Sequence, residues 1–305
     1  MIKNCECPLC GELKNELVEL INGDDINKLY SKSFGIQNAL KAEYIEYRQC
    51  NNCTLKFFWP METGDEHLYE QLQTHDWYYM SDKQEYQIAL SFLKSAESVL
   101  EVGSGKAAFA AIVGVNRYAG LEFNDSAIER ASKVGINLIK ESVEIHAENG
   151  KKYDAVVSFQ VLEHVGSPSS FIKACVACLR PGGVLVLAVP SCDGFGGQVI
   201  NNILDMPPHH VTHWSESSFS FLDKLFNVEV IAIEHERISS YHRQLAYKTQ
   251  VETLMRRFLG LNYRLIDQRL ISKLVSKLAS IFAATFNRQS NYNKGHTVVG
   301  VFRKI

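Results

Sequence analysis

Long apolar runs are missing from this chain of 305 residues. No stretch reaches the ~18 consecutive apolar residues of a membrane-spanning helix. The opening MIKNCECPLCGE has no apolar core of the kind that a secretory signal carries. A cytoplasmic setting is therefore expected, and with it reduced thiols: the eight cysteines should be metal ligands or buried groups rather than disulfides. There is no internal repeat and no low-complexity tract. Nor does any run of Lys and Arg interleaved with aromatics flank the cysteine pairs, so nucleic acid is not an expected partner. What remains is a globular chain, 46% hydrophobic and 22% charged, long enough for one large domain or two modest ones.

The net charge of −2 conceals an asymmetry. Residues 241–295 carry ten Lys or Arg against two Asp or Glu, on a body that is otherwise acidic. A basic segment of this kind suits an anionic partner, or is a solvated helical surface. Within it Ile266, Leu270, Ile271, Leu274, Leu278, Ile281 and Phe282 form an apolar stripe at helical spacing, flanked by Arg269, Lys273 and Lys277. The segment could serve as a lid, an arm for self-association, or a helix lying on the inner face of a membrane.

Residues 1–62 read as a separate module. Cys7, Cys10, Cys50 and Cys53 form two C-x2-C pairs, a spacing that gives tetrahedral thiolate coordination suited to a structural zinc ion. Cys5 is a substitute ligand. EYIEYRQ and LKFFWP around the second pair predict a hairpin. Residues 63–97 predict a helical linker. Cys175 and Cys178 repeat the spacing on an apolar helix and are expected as core thiols.

From Ser98 onward strands alternate with helices, which predicts a doubly wound sheet over 98–305, interrupted by the insertion at 241–295. Expected strands are SVLEV, YAGLEF, INLIKE, YDAVVSFQ, VLVLAVP, VEVIAIE and TVVGVFR. Asn124 or Asp125 should cap one helix, and Ser167 another with Pro168 in its first position.

The first strand runs through Gly103-Ser104-Gly105 into a helix, a turn that holds a nucleotide-like ligand. It fits both a dinucleotide and S-adenosylmethionine (SAM). Glu101, two residues before Gly103, favours SAM, because an acid there can hold an amino group and gives a phosphate nothing. Glu122 ends the next strand, where it can bind ribose hydroxyls of either ligand.

Glu101-Val-Gly-Ser-Gly, the run YDAVVSFQVLEHV and LRPGGVL together resemble the class I SAM-dependent methyltransferases, in particular the group carrying LEHV. The resemblance covers about residues 80–305. It implies an α/β Rossmann-like doubly wound sheet of seven strands, the last antiparallel. It further implies that Gly103, Ser104 and Gly105 contact the methionine part, Glu122 the ribose and Phe123 the adenine face. Ser142 and Val143 would meet the adenine edge, while Phe159 and Gln160 would line the sulfonium. The family often has Gly where this chain has Ala107, so a less close approach of that loop to the ligand is expected. Residues 1–62 are similar to the zinc-binding, zinc-ribbon-like domain ahead of some sugar methyltransferases, with Thr54 where Gly is common.

The strand ending at Pro190 feeds a loop containing PPHHVTHW, with His209, His210 and His213. Ligands of doubly wound sheets bind at this edge. The stretch resembles one in methyltransferases of glycan and small-molecule pathways. His209 or His210 is the candidate base for an acceptor hydroxyl, and His164 shapes the pocket. Cys192 shares the edge without a partner that would make it a nucleophile. The expected activity is methyl transfer from SAM to a hydroxyl, less readily a carbon, of a sugar or glycan-pathway small molecule, phosphorylated, nucleotide-linked or lipid-linked. An RNA methyltransferase and a non-catalytic SAM-binding scaffold are the competing readings.

Overall fold

The computed structural model describes residues 5–73, 83–286 and 289–305. Residues 1–4, residues 74–82 of the expected helical linker and residues 287–288 of the insertion lie outside the described residues.

The chain opens with β1 (Asn15–Asn22) and α1 (Gly23–Phe34). Neither stands out in the sequence. β1 is exposed along much of one face, with Leu17, Val18 and Leu20 about half exposed. α1 starts at Asn22, whose side chain accepts from the Asp24 amide at 2.8 Å. The expected hairpin follows as β2 (Tyr44–Cys50) and β3 (Lys56–Trp59), antiparallel to each other. The linker contributes α2 (Glu66–Gln73) and α3 (Gln84–Phe92).

Next comes the alternating half: β4 (Val99–Val102), α4 (Ala108–Val113), β5 (Tyr118–Leu121), α5 (Asp125–Lys133), β6 (Leu138–Ile139), α6 (Val143–Glu148), β7 (Tyr153–Phe159), α7 (Pro168–Ala177) and β8 (Leu179–Pro190). A two-residue strand β9 (Thr212–His213) lies in the long loop that follows. The chain continues with α8 (Glu216–Ser220), α9 (Leu222–Leu225), β10 (Val228–His235), α10 (Arg243–Phe258), α11 (Leu270–Phe286) and β11 (Thr297–Lys304).

Seven of these strands form one sheet in the order β10-β11-β8-β7-β4-β5-β6. The pairs from β8 to β6 are parallel, and β11 runs antiparallel to both β8 and β10. This is the expected fold. All four residues of β4 are buried, as a strand covered by helices on both faces must be. Asn124 caps α5, accepting from the Ala127 amide at 2.9 Å. Ser167 sits at the N-cap of α7 ahead of Pro168, but its side chain makes no capping bond, so the helix start rests on the proline.

A second sheet, β1-β2-β3-β9, is completed from outside the N-terminal module. Lys56 pairs with His213 and Phe57 with Thr212. One hydrophobic cluster runs from Cys7, Leu9, Cys50 and Phe57 through Trp214 into Leu100, Val156 and Leu187 of the large sheet.

The insertion is a pair of packed helices. The expected apolar stripe on α11 is its exposed face, with Leu270 84% and Ile281 56% accessible. The small residues Ala279 and Ala283, with Val275, form the buried face. Close helix approach selects small side chains here, so the bulky stripe marks the surface. Among the described residues no helix is long and apolar enough to cross a membrane.

Candidate active site

The strand order changes direction between β4 and β7, and a cavity of about 660 Å³ opens at their carboxyl ends. One end is lined by Glu101 and the turn Gly103 to Gly105; the other by Glu163, His164, His209 and His210.

The turn approaches its neighbours too closely for a side chain. Gly103 has φ +75°, and a Cβ there would lie 2.4 Å from Cγ2 of Val161. Ala107 also has positive φ, +54°, a conformation that costs an L-residue roughly 1–2 kcal/mol. Its methyl group faces Ala110, Ala131 and Leu138 in the core. The Gly-to-Ala departure from the family pattern therefore acts on backbone strain, not on the distance between loop and ligand as expected from the sequence.

Glu101 is 2% exposed and accepts from the Tyr118 hydroxyl. Burial raises its pKa to about 8, against the pull of Tyr118 and Lys83. Such a carboxyl suits an ammonium group. The turn and this acid thus offer what the amino-acid part of SAM requires. Glu122 accepts from the Gly105 amide at 2.6 Å and from the Phe123 and Asn124 amides at 2.8 Å each. It ties the glycine turn to the end of β5. Phe123 is 62% exposed beside it. Ser142 accepts from the Ile145 amide as the cap of α6. The Val143 side chain is in the core, so it is the main chain there that can face a ligand. Phe159 lines the cavity and packs edge-on against Tyr86, with ring centroids 4.8 Å apart. Gln160 lines it as well, at φ +58°, and its amide donates to Glu85 and to Thr297 at 3.3 Å each.

At the other end the histidine rings are held by their Nδ1 atoms. His164 Nδ1 meets the His209 carbonyl at 2.5 Å, and His209 Nδ1 meets the Leu204 carbonyl at 2.7 Å. His210 Nδ1 meets the Asp205 carboxylate at 3.0 Å. Burial lowers all three pKa values, His164 to about 3. His213 is turned to the module: its Nδ1 is 2.7 Å from the Tyr47 hydroxyl and its Nε2 is 2.8 Å from the Asp205 carbonyl. Burial opposes its charge, but Asp205 outweighs burial and raises its pKa.

Glu163 was not singled out by the sequence, although it stands in LEHV directly before His164. It is 1% exposed, and neither carboxylate oxygen finds a hydrogen-bond donor among the described residues. Burial pushes its pKa to about 8. Burial pushes the Cys192 thiol up to about 12, away from the thiolate form.

Away from the cavity, Cys7, Cys10, Cys50 and Cys53 bring their sulfurs within 4.8 Å of one another, without Cys5. The Cys7–Cys53 and Cys10–Cys50 separations are 3.5 Å each. Metal–sulfur bonds of about 2.3 Å imply edges of roughly 3.8 Å in a tetrahedron, so the group fits a zinc ion. Thr54 holds the left-handed conformation of the second knuckle, φ +61°, where Gly would be unstrained. Cys175 and Cys178 are buried core thiols.

A sequence profile described as "Methyltransferase domain" matches residues 70–253, more than half of the chain. The chain belongs to the methyltransferase-domain family. That is the class its motifs imply. Two curated relatives of this methyltransferase-family chain are named ubiquinone biosynthesis O-methyltransferase. The one from Shewanella pealeana is 36% identical over 97 residues, 28% of this chain and 41% of the relative. The one from Serratia proteamaculans is 33% identical over 96 residues, 28% and 40% respectively. The chain thus spans less than half the length of these relatives. A solved SAM-dependent methyltransferase from Archaeoglobus fulgidus is similar at 16% identity and TM-score 0.49, over 79% of this chain and all of that one.

Proposed function

We propose that this chain transfers the methyl group of SAM to a hydroxyl oxygen of a small molecule. The observation that carries this reading is the single cavity with two chemically distinct ends. The glycine turn, Glu101 and Glu122 would hold SAM, with Phe123 against the adenine. SAM, when bound, supplies an electrophilic methyl on a sulfonium. Glu163 and the histidine cluster would receive the acceptor. In the reaction the acceptor O–CH3 bond forms, the S–CH3 bond breaks, and the hydroxyl proton leaves. The sequence assigns that proton to His209 or His210. Burial makes both weak bases, whereas it raises the proton affinity of Glu163, so the fraction of Glu163 that is ionised is the better acceptor. Alignment of acceptor and methyl by the cavity walls supplies the remaining acceleration.

The relatives' printed name supports oxygen as the atom methylated. A sugar-pathway acceptor draws on the resemblance of the N-terminal module, and a phenolic one on that name. Methyl-labelled SAM offered with a panel of nucleotide sugars, lipid-linked sugars, polyphenols and RNA decides among them by mass spectrometry. Labelled RNA would replace this reading with the nucleic-acid one. Tight SAM binding without transfer to any acceptor would favour the scaffold. The four module cysteines, in the same proposal, hold one structural zinc ion.

A further inference from the structure

The three imidazoles at the acceptor end share a property that none has alone. Each directs Nδ1 at an oxygen: the His209 carbonyl, the Leu204 carbonyl and the Asp205 carboxylate. A carbonyl or carboxylate can pair only with a protonated nitrogen, which leaves the lone pair of each ring on Nε2. Candidate ligand atoms of His164, His209 and His210 all lie within 4.8 Å of one another. The rings stand 4.5 to 4.7 Å apart, centre to centre. Nε2 of His164 is 3.8 Å from Oε1 of Glu163, and Nε2 of His210 is 3.9 Å from it. Three imidazoles and a carboxyl therefore gather in a buried place, an arrangement that a cation would stabilise.

We propose that His164, His209 and His210 form a site for a divalent cation of the zinc class, open toward the cavity, with Glu163 beside the open position. Metal–nitrogen bonds of about 2.0–2.1 Å set ligand atoms about 3.4 Å apart, so binding turns the His209 and His210 rings, now stacked with planes 17° apart, until both aim at one ion. Histidines that ligate through Nε2 and donate Nδ1–H to an oxygen are the arrangement metal sites require. Three protein ligands leave a fourth place for an acceptor oxygen. A metal there lowers the pKa of the hydroxyl, whose proton goes to Glu163. Only this last role rests on the transferase reading; the site itself rests on the geometry.

The full-length chain, saturated with zinc and desalted, should carry two zinc ions by elemental analysis. His164→Gln and Cys50→Ser should each carry one. Cobalt(II) added to wild-type protein whose cysteine site holds zinc should give visible bands of nitrogen and oxygen ligation, without the near-ultraviolet thiolate band. His210→Gln should weaken that binding at least ~100-fold, and Asp205→Asn about 10–100-fold. One zinc per wild-type chain and no such cobalt spectrum would overturn the site, with no dependence on whether a variant folds. Full methyl transfer in protein lacking this metal would overturn its part in the reaction and leave the transferase reading standing. Cobalt binding with no transfer to any acceptor would do the reverse.

Discussion

Two carboxyls at the cavity and a third on its glycine turn illustrate how far a single residue can be understood from its neighbours in the sequence. Glu101 and Glu122 were legible because each ends a strand beside a glycine turn. Glu163 was not, because its importance lies in what it lacks among the described residues: a donor for either oxygen. No local pattern encodes a missing partner. Glu163→Gln keeps the shape and removes the base, so turnover should fall ~10²–10⁴-fold while SAM affinity stays unchanged in calorimetry. A loss of SAM affinity instead would place Glu163 in cofactor binding. Glu101, with a pKa near 8, is mostly protonated at pH 7 before its ammonium partner arrives. SAM binding at pH 7 should therefore release close to one proton, read from calorimetry in buffers of different ionisation heat. Glu101→Gln should abolish that release.

At the scale of the element, type and order followed from hydrophobic period, while burial did not. The seven strands were legible because their apolar runs are short and bounded by turns. β9 was not: two residues form it, and its partner β3 is far away in the chain. On α11 the period marked a helix and its apolar stripe, but not that the stripe faces outward while Val275, Ala279 and Ala283 are buried. The α10–α11 pair is held by Arg256, which donates to the Asp267 carboxylate at 2.7 Å, to Ser272 at 2.7 Å and to the Asn262 carbonyl at 2.9 Å. Asp267→Asn would leave a buried guanidinium without its counter-charge, a loss of about 3–5 kcal/mol. A lowered denaturation midpoint should report it, while zinc content and SAM affinity remain as in wild type.

The whole molecule carries an excess of buried acid. Burial raises the pKa of Glu101 and Glu163 to about 8 and that of Glu236 to about 7, against an ordinary value of about 4.3. Between these limits the folded chain holds more protons than the unfolded one. Below about pH 6.5 the buried histidines, His164 and His296 among them, oppose this trend because burial lowers their pKa values; above it the carboxyls act alone and stability declines as pH rises to about 8. The thermal midpoint of the ligand-free protein should fall as pH rises from 7 to 8.5, and Glu101→Gln and Glu236→Gln should flatten the decline. A rising midpoint would contradict these pKa shifts.

The strand β9 bears on how the chain is made. The first sheet holds its cysteine module and three of its strands from the start, but its fourth strand is Thr212–His213. On the ribosome β3 therefore waits with an open edge until the central part of the large sheet has been synthesised. An open edge is a template for wrong pairing. The short length of β3 limits that hazard, and its closure by His213 brings His209 and His210 to the cavity in the same event.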